Sequence, residues 1–150
     1  MKSRFLLAFL VGSIFAEEHD VFYFHTNLRC NLRNKPLYHY SIRFFEDDKI
    51  TLPDRLGEWH HGGTLHPKGI PTAMTYKETE DGDEIDRYHF YTKIMHDCTD
   101  SGEATSVTIY YRNGVCLKGE GVCHIDVKEI MDNLEGTKND DGIIHQVKKV

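Results

Sequence analysis

A chain of 150 residues with 24 acidic and 18 basic side chains carries a formal net charge of −6, and 39% of its residues are hydrophobic. That length and apolar content suffice for one domain with a real core. The acidic, mixed-sign balance argues against a nucleic-acid partner, which would call for a basic face, and no collagen-like or low-complexity tract points to a repetitive structural protein.

Met1 to Ala16 has the three parts of a secretory signal: Lys2 and Arg4, the apolar run Phe5 to Val11, and Gly12-Ser13-Ile14-Phe15-Ala16 ending in a small residue. The run is too short to span a bilayer, so it is read as cleaved. Its removal takes the net charge from −6 to −8, since both lost charges are positive. No later run is long enough for a transmembrane segment, and no Asn-x-Ser/Thr sequon occurs. The expected organisation is a signal peptide over 1–16, one β domain over 17–131 and a polar, flexible tail over 132–150.

Val21 to Cys30 is rich in aromatic and branched residues and predicts a strand. Asn31 to Pro36 is the turn, and Tyr38 to Phe45 alternates Tyr38, Tyr40, Ile42 and Phe44 with polar residues, the cleanest half-buried strand in the chain. Ile50 to Leu56, broken by Pro53, is at best an edge strand. Gly57 to Pro71, with four glycines, Trp59, His60, His61 and His66, is expected to be a long loop holding one short strand near Thr64 to His66. Thr72 to Tyr76 is another short strand, and the acidic Lys77 to Asp86 a turn.

Tyr88 to Cys98 is the strand around which the rest is organised. It ends in His96-Asp97-Cys98, and Thr99 to Glu103 turns the chain into the next strand, Ser106 to Arg112, closed by Asn113-Gly114. Val122 to Ile130 is read as a strand running on into a helical turn. Short strands, regular turn signals and no long helix predict an all-β Greek-key β-sandwich of seven or eight strands.

Four cysteines in an exported chain suggest two disulfides, but sequence leaves three pairings open. Cys116 and Cys123 are near enough to close a small glycine-containing loop, which would leave Cys30 for Cys98. Pairing of Cys30 with Cys116 or Cys123 stays open. No C-x-x-C pair supports zinc instead.

In order along the chain, Cys30-Asn31, Lys35-Pro36, Glu46-Asp47-Asp48, Leu52-Pro53-Asp54-Arg55-Leu56 and Lys93-Ile94-Met95-His96-Asp97-Cys98-Thr99-Asp100 resemble the nematode transthyretin-like family of small secreted proteins. The likeness covers Phe22 to Ile130, with His96-Asp97-Cys98 its most specific element. Ala104 to Val107 lacks the family's basic, cysteine-started strand, Cys116 comes late, and Asp126 stands where a glycine marks the last strand. The chain therefore resembles a divergent member, and no second disulfide is carried over. For the fold, the resemblance implies a prealbumin-like sandwich of two four-stranded sheets.

For function, the resemblance implies a secreted, non-enzymatic binding module for an extracellular or cell-surface protein, a lipid or a small apolar ligand. One alternative is an enzyme like the hydroxyisourate hydrolases, which depend on active-site histidines and arginine and on a C-terminal Tyr-Arg-Gly-Ser. Here the sequence ends His145-Gln146-Val147-Lys148-Lys149-Val150. The other alternative is a matrix or cuticle component.

Ten histidines are many, and His60, His61 and His66 share one glycine-rich stretch. Imidazoles bind zinc or copper, but no ligand spacing on a regular element supports a site, so no metal or other cofactor is assigned. His96 and Asp97 are neighbours on a strand and point to opposite faces, so they cannot act as a base with its orienting carboxylate. They are read as ending the strand and positioning Cys98. Neither Gly-x-Ser-x-Gly nor a phosphate-cradling loop is present, and no catalytic residue is assigned. Ligand-binding residues stay unassigned, with Trp59 a candidate contact.

Overall fold

The computed structural model describes residues 19–35, 37–47, 52–64, 68–77, 87–111, 116–119, 121–140 and 143–148. The signal segment, the acidic turn up to Asp86, His66 and Asn113-Gly114 lie outside them.

The described residues form eleven strands and no helix. A four-stranded sheet runs in the order β11 (Ile143–Lys148), β9 (Gly121–Ile130), β1 (His19–Arg29), β4 (Lys68–Lys77). A five-stranded sheet runs β10 (Gly136–Asp140), β7 (Thr105–Tyr111), β6 (Phe90–His96), β2 (Tyr38–Glu46), β3 (Asp54–Thr64). A two-stranded ladder joins β5 (Arg87–Tyr88) to β8 (Cys116–Leu117). The pairings β1–β9 and β10–β7 are parallel and the others antiparallel.

Strand alternation decides what enters the core. On β1, Phe22, Phe24, Thr26 and Leu28 are buried, while Tyr23, His25 and Asn27 face outward. On β2, Tyr38, Tyr40, Ile42 and Phe44 are buried as the period of two predicts, and on β9 the inward set is Cys123, Ile125, Val127 and Glu129. The two sheets meet through aromatic rings. Phe24 of β1 stacks on Phe44 of β2 with centroids 4.1 Å apart, and Phe22 meets Phe90 edge-on at 4.9 Å. Each fully buried ring contributes about 2–3 kcal/mol from area alone, and each well-placed pair about 1 kcal/mol more. The result is an all-β arrangement compatible with a sandwich.

Four expectations are corrected. The central strand is not continuous: β5 ends at Tyr88, and β6 begins at Phe90. Tyr88 pairs with Cys116 instead of joining the main sheet, and its hydroxyl donates to the buried Asp20 at 2.8 Å. Gly57 to Thr64, expected as loop, belongs to β3. Its glycines serve close packing, since a Cβ at Gly62 would lie 2.5 Å from the Tyr40 hydroxyl oxygen, and Gly57 sits at a φ of 77° where the β2–β3 register slips.

The polar stretch after Met131, expected to be a tail, adds β10 to one sheet and β11 to the other. Its few apolar residues concealed strands held by edge pairing. The strand β9 runs through Ile130 without a helical turn.

Candidate functional site

At one end of the molecule the His96-Asp97-Cys98 element gathers three chain segments. Cys98 is bonded to Cys30, with Cα atoms 5.9 Å apart. His96 turns inward and is buried. Its Nδ1 accepts the Cys98 backbone N–H at 3.2 Å, which leaves Nε2–H to donate to the Leu134 carbonyl at 2.7 Å. Burial lowers its pKa, against the opposing pull of the Leu134 carbonyl and Asp97, which favours the neutral ring.

Asp97 turns the other way. It accepts the His39 backbone N–H at 2.7 Å and lies 3.3 Å from Lys35 Nζ. Burial alone would raise its pKa, but these partners together hold it below the usual carboxylate range. The two side chains do not meet. His96 positions Cys98, and Asp97 pins the start of β2.

The second disulfide, Cys116–Cys123, ties β8 to β9. Around it Asp20 accepts from Gly119 N at 2.7 Å and Gly121 N at 3.2 Å as well as from Tyr88. Cys30, Cys98 and Asp132 cluster closely enough to suggest a metal, but the two sulfurs are bonded to each other and hold no lone thiolate. Two disulfides are consistent with an extracellular protein. Among the described residues no helix is long and apolar enough to cross a membrane.

The paired histidines of β3 separate. His61 faces outward and shares a 2.7 Å hydrogen bond with Ser41 Oγ, while His60 packs toward Phe44, ring centroids 6.4 Å apart. Successive strand residues cannot chelate one ion from one face, so the structure does not bring this pair together as a site.

Trp59 lies on the outer face of the five-stranded sheet within an aromatic and cationic row. Phe45, Tyr91 and Tyr110 occupy neighbouring strands, with centroid separations of 4.7 Å and 5.1 Å. Arg43 lies between Phe45 and Trp59, its Cζ 5.8 Å and 6.0 Å from the two rings, and Lys93 Nζ is 5.3 Å from Phe45 and 5.8 Å from Tyr91. Next to this row, Tyr40, Met95 and Ala104 line a shallow cleft of about 240 Å³, and Met95 is 49% exposed. Only Trp59 was singled out from sequence. Arg43, Phe45, Tyr91, Lys93, Met95 and Tyr110 sit at outward positions of three strands, and their strand order supplies the juxtaposition.

The outer face of the four-stranded sheet has a different chemistry, and none of it was assigned from sequence. His25 Nε2 and His124 Nδ1 approach to 3.0 Å, the two rings lie 11° from parallel, and Tyr23 stacks on His124 at 5.1 Å. The pair is 99 residues apart in sequence. The only signal available was that each histidine occupies the outward phase of its strand.

Compared with protein-family models, with curated proteins and with solved structures, the chain matches none of them.

Proposed function

We propose that the protein is a secreted, transthyretin-like Greek-key sandwich that acts as a binding module, engaging an extracellular partner protein through the outer face of its five-stranded sheet. The fold reading is supported by chain routing: β1 and β4 pair in one sheet while β2 and β3 pair in the other, so the chain crosses between layers and returns. Secretion is supported by the leader-like Met1 to Ala16 and by the two disulfides.

The observation that carries the function is the half-buried trio Trp59, Arg43 and Tyr110, packed around the buried rings of Phe45 and Tyr91, beside exposed Met95. Aromatic residues, Met and Arg are the types enriched where proteins bind one another. A carrier of free lipid is less well supported, because Phe22, Phe24, Phe44 and Phe90 occupy the space between the sheets.

The test is binding of labelled, oxidised protein to intact cells and to protein-free vesicles. The reading expects saturable, protease-sensitive binding to cells that W59A and M95A each weaken by about tenfold or more. Equal binding to vesicles, or no effect of both substitutions, would refute it.

A second reading, hydrolysis of the hydroxyisourate type, is favoured by one observation, the pairing of exposed His25 with half-buried His124. Turnover of hydroxyisourate by the purified protein, abolished in H25Q, would establish it. No turnover would remove it.

A further inference from the structure

We propose that the segment of the partner protein seated on the outer face of the five-stranded sheet is acidic, and that one of its carboxylates docks between Arg43 and Lys93. The inference rests on the partner-binding reading and adds to it the chemistry of what binds.

The ladder sets two cations against each other. In the antiparallel pairing of β2 with β6, Arg43 stands directly opposite Lys93. Both side chains lie over one ring, with Arg43 Cζ 5.8 Å and Lys93 Nζ 5.3 Å from the Phe45 centroid. Like charges directly opposite in a ladder destabilise a sheet. The ring attracts each cation through its negative face, but it neutralises neither charge.

The chain's own acids do little to relieve the pair. Around Lys93 the same face carries Arg43 and Thr108 across the two ladders, and Tyr91 and Met95 along the strand. None of the four is acidic, and among the described residues Lys93 takes part in no ion pair. Arg43 has one acidic neighbour there, Glu58, whose carboxylate is 3.8 Å from Nη2 on a side chain that is 92% exposed. So exposed a contact contributes little in water.

The neighbourhood extends the positive charge. Exposed Arg55 of β3 stands opposite Phe45 and so adds a third cation to this face. Lys35 and Asp97 offset each other at 3.3 Å, which leaves Arg43, Arg55 and Lys93 against Glu58 and, at the end of β2, Asp47. This excess belongs to a chain whose formal charge is −6.

A carboxylate brought in by a partner would meet two cations at once, with aromatic rings beside them. Hydrogen bonds between ionised groups are about twice as strong as neutral ones. Arg43 is already oriented, since its Nε–H donates to the Gly57 carbonyl at 3.0 Å. Apolar side chains next to the carboxylate on the same segment would lie against half-buried Trp59 and Tyr110 and exposed Met95.

The test repeats the cell-binding measurement on the oxidised full chain with K93R, K93Q and K93E beside W59A and M95A. Lys93 is exposed, so its replacement leaves the core untouched, and urea midpoints check that each variant is folded. K93R should bind like the wild type, K93Q about tenfold more weakly, and K93E more weakly still. Undiminished binding of both K93Q and K93E, with W59A and M95A weakened, would overturn the acidic segment and leave the partner-binding reading standing. Undiminished binding of all four would remove both. Loss of binding after heparinase treatment of the cells would assign the anion to a sulfated glycan and overturn the acidic protein segment in the same way.

Discussion

Glu129 is expected to make the protein less stable as pH rises from about 4.5 to about 7. Its side chain, on the inward face of β9, is 1% exposed, and burial pushes its pKa up from 4.5 to about 7, helped by a hydrogen bond with Asp140. Lys138, with Nζ 2.6 Å from Oε2, opposes the rise without cancelling it. The folded state thus holds a proton that the unfolded chain releases near pH 4.5. The associated stability is fully present below that pH and is lost as pH climbs through about 7.

That rise corresponds to about 3 kcal/mol. Glu129→Gln keeps the shape, can donate to Asp140 and accept from Lys138, and does not titrate. Urea midpoints for wild type and E129Q should coincide near pH 4 and diverge steadily in favour of E129Q, by about 3 kcal/mol above pH 7. Parallel pH profiles for the two proteins would refute the reasoning, since they would mean that the buried carboxyl ionises without cost.

His96 acts with the opposite sign. Burial lowers its pKa, so its contribution is lost as pH falls below about 6.5, and H96Q should flatten the acid limb of a stability profile recorded in the E129Q background. Asp20→Ala leaves the Tyr88 hydroxyl and the Gly119 and Gly121 amides without their acceptor. It should cost about 2–4 kcal/mol and speed hydrogen exchange at those two glycines selectively. Loop closure assigns about 4 kcal/mol to Cys30–Cys98 and about 2.5 kcal/mol to Cys116–Cys123. The paired serine variants should therefore differ in thermal midpoint in that order, and peptide mapping of the unreduced protein should return those two bridges.

Where burial repeats with a short local period, the sequence was legible. Tyr38, Tyr40, Ile42 and Phe44 alternate along β2 because one face of that strand meets the core, and the period survives no matter which strands flank it. The sequence misleads where a residue answers to a neighbour distant in the chain. Gly62 and Gly63 look like a loop, yet Gly62 is small because the Tyr40 ring of the adjacent strand occupies the space a side chain would need. The stretch after Met131 has no apolar period, because β10 and β11 are held by backbone pairing at sheet edges, which any residue with a free N–H and C=O can provide.

The functional faces were hidden for the same reason. A cross-strand row takes one residue from each strand, so its members carry no spacing in the sequence. His25 and His124 become neighbours only because β1 and β9 pair in parallel, a connection that the intervening strands conceal. The aromatic row on the other sheet likewise depends on β7, β6 and β2 lying side by side. The two faces are separated by a core of packed rings, with no described residue serving both. Substitution on one should leave the other intact: H124Q should not alter cell binding. A loss of cell binding in H124Q would mean that the two sheets move as a coupled pair.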